Sequence, residues 1–225
     1  MRTLVVGDTH GCLDELLDLL QKAELNLPTD RLILLGDYID RGPQCYELVA
    51  YLWGLQQLHG RDKVVLLRGN HEQMAIDHLK YDDRNWFYNG GAITARSLAA
   101  NQADMAEVID FFRSLPLFFC DEHFIYVHAG LRPGVDLERQ RAQDLLWIRE
   151  EFYRSSYDFG KTVIFGHTPT SFINGKHAPI ITEGRVALDT GCVYGKFLSG
   201  LEIQNGRITG TYMVAAGNNR GKRIA

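Results

Sequence analysis

A chain of 225 residues, 45% apolar and 23% charged, can bury one sizeable core or two small ones. Its formal net charge of −4 excludes a global attraction to nucleic acid or anionic membrane, so any phosphate recognition must be local. No apolar run approaches the ~20 residues that span a bilayer, and four scattered cysteines without a C-x-x-C pair give no support to a zinc-thiolate or redox motif.

Leu4-Val5-Val6 reads as a first strand and leads directly into Gly7-Asp8-Thr9-His10-Gly11. No leader core precedes it, so secretion is not expected, and free thiols suit a cytoplasmic setting. Leu13, Leu16, Leu17 and Leu20 form one apolar stripe of a helix, with Asp14 and Glu15 in its first turn. A second strand, Leu32-Ile33-Leu34-Leu35, ends at Gly36-Asp37-Tyr38-Ile39-Asp40-Arg41-Gly42. Three ionisable side chains between two glycines fit a core badly, because buried charges must be paired or hold metal. Pro43 opens a second helix, whose inner face is read as Tyr46, Val49, Ala50 and Trp53. A third strand, Val64 to Leu67, ends at Gly69-Asn70-His71-Glu72. Strand, helix, strand, helix, strand predicts a parallel sheet with crossover helices.

From Gln73 to Pro116 the rhythm breaks into short helical stretches around the Asn89-Gly90-Gly91 breaker. Met105, Val108, Ile109 and Phe112 mark an amphipathic helix. This segment reads as a helical insertion beside the site, with Trp86, Phe87 and Tyr88 serving packing rather than a substrate groove. The last third predicts strands at 124–127, 162–165, 186–188, 200–203 and 207–214, and one helix from Leu145 to Arg154. Gln204-Asn205-Gly206-Arg207 reads as a hairpin turn, and Asn218 to Ala225 as a frayed polar tail.

Six apolar strands thus deliver Asp, Asn or His at their carboxyl ends, where open α/β sheets place ligands. The collected set, Asp8, His10, Asp37, Asn70, His128 and His167, predicts one convergent site, with Asp189-Thr190-Gly191 after the sixth strand. Carboxylate, imidazole and amide oxygen suit Mn²⁺, Fe or Zn²⁺. Six ligands exceed a single structural zinc site, so two ions are expected. His59, His78, His123 and His177 lie outside the pattern and read as ordinary polar residues.

Gly-Asp-x-His-Gly, Gly-Asp-x-x-Asp-Arg-Gly and Gly-Asn-His-Glu, about thirty residues apart, resemble the calcineurin-like metallophosphoesterase superfamily. More narrowly they resemble its phosphoprotein (serine/threonine) phosphatases of the compact bacterial and phage type, represented by lambda phosphatase. The resemblance extends through Gly166-His167 to Asp189-Thr190-Gly191. It implies an α+β fold, two β-sheets packed face to face and flanked by helices in four α/β/β/α layers, which amends the single-sheet reading. It further implies one metallophosphoesterase domain over residues 1–225 with the helical insertion at about 73–118.

Residue by residue, it implies that Asp8 and His10 hold one metal, that Asp37 bridges two, and that Asn70, His128 and His167 complete the second. Arg41, Asn70 and Arg149 would bind the substrate phosphate, a geometry that suits the guanidinium fork. His71, paired with Asp40, would protonate the leaving group while a metal-bound hydroxide attacks phosphorus directly. The implied activity is a manganese-dependent phosphomonoesterase acting on phosphoserine or phosphothreonine proteins, with phosphotyrosine open. The complete Asp40-Arg41 turn and Glu72 are read as favouring it over the alternative, a symmetrical dinucleoside tetraphosphatase (Ap4A hydrolase) or broad phosphoesterase. A silent phospho-binding module would lack a ligand, and a nuclease would carry a basic strip. The expected partner is a phosphoprotein or phosphopeptide, with no membrane, nucleic acid or regulatory subunit.

Overall fold

The computed structural model describes residues 1–217. The chain opens with β1 (Arg2–Val6), α1 (Leu13–Lys22), β2 (Arg31–Leu34), α2 (Cys45–His59) and β3 (Val64–Leu66). Four helices follow: α3 (Asn70–Tyr81), α4 (Asn85–Tyr88), α5 (Gly91–Ala100) and α6 (Met105–Arg113). Then come β4 (Phe118–Cys120), β5 (Phe124–Val127), α7 (Ala142–Trp147), α8 (Glu150–Tyr153), β6 (Thr162–Phe165) and α9 (Thr170–Asn174). The described chain closes with β7 (Ile180–Thr182), β8 (Arg185–Ala187), β9 (Phe197–Gln204) and β10 (Arg207–Ala215).

Two mixed five-stranded sheets result, in the orders β10-β9-β1-β2-β3 and β4-β5-β6-β8-β7. In the first, β1, β2 and β3 run parallel; in the second, β5, β6 and β8 do. Period-two alternation explains why their apolar runs are unbroken. Val5, Ile33, Leu35 and Val65 face Phe124, Tyr126, Ile164 and Val186 in a core between the sheets. The alternate residues Leu4, Val6, Leu32 and Leu34 pack outward under α1 and α2. On the far side, Ile125, Val127, Val163 and Phe165 pack with Leu145, Ile148 and Phe152. Every central strand is therefore covered twice, and the layers stack as helix, sheet, sheet, helix.

The chain-order reading of one parallel sheet is thus corrected. The two packed sheets that the resemblance implies are found, and only the antiparallel edges β4 and β7, three residues each, are too short to leave a periodic signal. The inner face of α2 is Cys45, Leu48, Val49, Leu52 and Gln56. Ala50 is exposed and Tyr46 and Trp53 are half-buried, so the predicted stripe is rotated by about one position. In α1, Leu19 is buried and Leu17 is not fully so. The helix predicted over 145–154 is two helices, parted at Arg149, whose φ of −131° and ψ of −104° leave the helical region. The Asn205-Gly206 turn has φ of 52° and 70°, which suits a primed hairpin turn. The tail predicted for Asn218 to Ala225 lies outside the described residues.

Candidate active site

Each candidate side chain sits just beyond a strand or at a helix start. Asp8 and His10 follow β1, and Asp37, Asp40 and Arg41 follow β2; Asn70 and His71 open α3. His128 follows β5, His167 follows β6 and Asp189 follows β8. Parallel strands end on the same side, so both sheets empty their carboxyl ends into one seam. Hydrogen bonds cross that seam. His167 N–H donates to both oxygens of Asp8, at 2.9 and 3.1 Å. His128 Nδ1–H donates to Leu35 O at 2.9 Å.

The turns are strained where the site needs them. Among the described non-glycine residues, His10, Asp37, Asp40, Arg41 and His167 all have positive φ, between 42° and 72°. Such backbone costs roughly 1 kcal/mol or more per residue and gathers at functional sites. Close approach adds a second demand. A Cβ at Gly69 would run into Asp37 Oδ1, and one at Gly166 into Asp8 Oδ1, so only glycine fits at either place.

Two ligand clusters share Asp37. His10, Asp37 and His71 offer atoms within 4.8 Å of one another, and so do Asp37, His128 and His167. Asp8 stands outside both at that spacing and joins them through the His167 amide. Every one of these residues is buried. Burial keeps the imidazoles neutral: His10 is pushed down to about 3, and His128 and His167 fall below their ordinary value. A neutral imidazole that donates from one nitrogen keeps a lone pair on the other. His10 Nδ1–H donates to Ile39 O at 2.7 Å, which leaves Nε2 as the acceptor. His128, donating to Leu35 O, likewise turns Nε2 toward Asn70 Oδ1, at 2.8 Å. The same Asn70 oxygen lies 2.8 Å from His167 Nδ1, and His167 Nε2 has no partner.

His128 Nε2 and Asn70 Oδ1, both acceptors 2.8 Å apart, repel unless a cation lies between them. The carboxylates make the same demand. Burial and then repulsion from Asp189 and Asp37 drive Asp8 well above the usual range, and burial pushes Asp189 up to about 6. This donor set fits divalent ions bound by nitrogen and oxygen.

Around the clusters stand the other candidates. His71 Nδ1 meets Asp40 Oδ2 at 2.6 Å, with Asp40 fully buried. Asp40 is itself held by Trp86 Nε1–H, 3.0 Å from both oxygens, and by Thr94 Oγ1–H at 2.6 Å. Trp86 packs as expected, being 1% exposed, but it also orients Asp40, a role that sequence spacing could not reveal. Glu72 accepts the N–H groups of Asp37, Tyr38 and Gly69 at 2.8–2.9 Å and so shapes the Asp37 turn. Arg41 donates to His10 Nε2 at 2.8 Å and lies 5.8 Å over the Tyr194 ring. Arg149, freed by the helix break, donates to Thr168 Oγ1 at 3.1 Å.

One cavity of about 200 Å³ is lined by His10, Asp37, Asn70, His71, His167 and Asp189. Arg41 and Arg149 also line it, together with Trp147, Phe172 and Tyr194. The strand-end position of Asp189 signalled its presence, whereas nothing local signalled Phe172 or Tyr194.

Residues 1–198 match the calcineurin-like phosphoesterase family. Curated relatives include the symmetrical bis(5'-nucleosyl)-tetraphosphatase of Klebsiella pneumoniae (strain 342), 33% identical over 184 residues. Its counterpart in Salmonella arizonae is 32% identical over 182 residues. These alignments take in 77% and 76% of this chain but 58% of each relative, so the chain spans little more than half their length. A solved candidate diadenosine tetraphosphatase superposes with a TM-score of 0.73 at 23% identity, over 96% of this chain and 94% of that one. A cold-active protein-tyrosine phosphatase of a Shewanella species gives 0.66 at 18% identity, over 95% and 80%. Likenesses this distant speak for the fold alone. The family uses a dinuclear divalent metal centre, which the lone-pair cage around Asp37 fits. The motifs, the paired sheets and the family match agree: this chain belongs to the calcineurin-like phosphoesterases.

Proposed function

We propose that this chain hydrolyses symmetrical dinucleoside tetraphosphates, breaking the central P–O–P bridge to leave two nucleoside diphosphates. The observation that carries the reading is the lining of one pocket. Two guanidiniums, Arg41 and Arg149, share it with exposed aromatic rings, Phe172 at 73% and Tyr194 at 55% accessibility. Guanidinium forks match phosphate oxygens, and a base stacked on an aromatic face gains about 1–3 kcal/mol. Several phosphates with a base at each end use all four side chains, whereas a phosphoserine offers a single phosphate. The curated tetraphosphatase relatives support the same substrate class.

Asp8, His10 and Asp37 would hold one divalent ion, and Asp37, Asn70, His128 and His167 a second. Such a pair, when bound, supplies water activation and neutralises phosphoryl charge. Arg41 and Arg149 bind and orient the polyphosphate, and Asn70 contributes its amide beside them. His71, with Nδ1–H given to Asp40, would offer a proton at Nε2 to the departing oxygen, which a diphosphate needs less than an alkoxide does.

A second reading, hydrolysis of phosphoserine or phosphothreonine in proteins, is favoured by that complete His71–Asp40 pair, because an alkoxide needs a proton to leave. Glu72 gives it no support: its carboxylate is occupied by backbone amides and faces the scaffold. The deciding experiment compares kcat/KM for diadenosine tetraphosphate and a phosphoserine peptide at saturating Mn²⁺. Preference for the dinucleotide, with ADP as the product, is expected. Equal or better turnover of the peptide would reverse the order of the two readings.

A further inference from the structure

Away from the phosphate pocket, three side chains from opposite ends of the chain meet. Cys12 closes the loop after His10, Glu15 lies in the first turn of α1, and Cys192 follows Asp189-Thr190-Gly191. The two Sγ atoms and a Glu15 carboxylate oxygen all lie within 4.8 Å of one another. All three residues are buried, at 4%, 7% and 3% exposure. Glu15 Oε1 accepts Gly217 N–H at 2.7 Å, which fixes the carboxylate in place. Among the described residues no Lys, Arg or His forms an ion pair with Glu15. A buried carboxylate that no described cation pairs is costly, and two thiols lie within 4.8 Å of it.

We propose that Cys12, Glu15 and Cys192 form a separate binding site for one thiophilic divalent cation, such as zinc or cadmium. Its sulfur-rich chemistry differs from that of the nitrogen-and-oxygen centre around Asp37 and selects softer ions. Zinc–sulfur bonds of about 2.3 Å place tetrahedral ligands a little under 4 Å apart, so side-chain rotation rather than backbone movement closes the site. Binding releases one proton from each thiol as two metal–sulfur bonds form, and the carboxylate supplies the third bond. Glu15 also lines a surface groove with Asp14, Arg41, Gly42, Pro43 and Gln44, so its side chain reaches the surface there. The bound ion would tie the His10 loop to the connection that carries Asp189.

Cobalt absorption tests this on the full chain, with its Asp37 centre first saturated with Mn²⁺ and a phosphine as reductant. Only thiolate ligation gives sulfur-to-cobalt charge transfer, so ions exchanged into the nitrogen-and-oxygen centre stay silent in that band. The expected result is a band that saturates at one thiolate-bound Co²⁺ per chain and is bleached by Zn²⁺. Cys192→Ser should abolish it, and Glu15→Gln should weaken cobalt binding by at least ~10-fold. No band on folded wild-type protein would overturn the site. So would a band that survives replacement of both thiols, Cys12→Ser with Cys192→Ser, since Cys45 or Cys120 would then be its source. Should the serine variant fail to fold, alkylation of the wild type mapped by mass spectrometry reads the same point. Zinc must slow labelling at Cys12 and Cys192 relative to Cys120, and unchanged rates at both would overturn the proposal.

Discussion

Asp40→Asn isolates the proton donor without disturbing the fold. The carboxylate is fully buried and accepts from His71, Trp86 and Thr94 at 2.6 to 3.0 Å. An amide of the same shape keeps an oxygen for Trp86 and Thr94 but removes the negative charge beside His71. A hydrogen bond to a charged partner contributes about 1.5–3 kcal/mol, so the variant loses that much stabilisation of the proton on His71. At about 1.4 kcal/mol per decade, the rate falls by roughly 10- to 150-fold wherever that proton is needed in the transition state. A serine alkoxide needs it; a nitrophenolate does not, and a diphosphate needs it little. The assay is kcat/KM on a phosphoserine peptide, 4-nitrophenyl phosphate and diadenosine tetraphosphate, wild type against variant. The peptide should lose at least ~10-fold more than either of the others. Equal losses on all three, with unchanged metal content, would refute the acid role of the pair.

Other outcomes follow from the same geometry. Chelation should abolish turnover and lower the melting temperature, with Mn²⁺ restoring both, because ions bound at 100 times their Kd add about 2.7 kcal/mol to the native state; full activity in chelator would exclude the metal centre. Glu72→Ala strands three buried backbone donors at about 1–3 kcal/mol each, whereas Glu72→Gln keeps an acceptor; denaturant unfolding should show the alanine variant as the far weaker of the two. Gly69→Ala drives a methyl into Asp37, so about 1–3 kcal/mol of stability and much of the bound metal should be lost together, as read by denaturation and elemental analysis. Arg149→Lys should raise KM for the dinucleotide more than it lowers kcat, since a point charge replaces a fork.

The convergence of the strand-end residues was legible because the same polar ending recurs at one structural position. An apolar strand that ends in Asp, Asn or His repeats six times, and each repeat is local enough to read in a few residues. The Asn-Gly hairpin was legible for a similar reason, since its φ values are set by the two turn residues themselves. Substrate choice left no such local mark. Glu72 looks like a specificity feature beside His71, yet its carboxylate is held by amides from the Asp37 turn, a contact that closes only when β2 and α3 meet.

By itself the sequence determined the polar ends of the strands, the turns that bend them and the chemistry they can hold. Tertiary structure alone decided that the strands form two sheets, because runs apolar on both faces pack equally well in one sheet or two. It also decided that Trp86 and Thr94 brace Asp40, that Arg149 leaves its helix, and that Phe172 and Tyr194 reach the pocket beside Asp37. It brought Cys12 to Cys192 as well. Those meetings depend on distances between residues far apart in the chain, which only the packed core fixes.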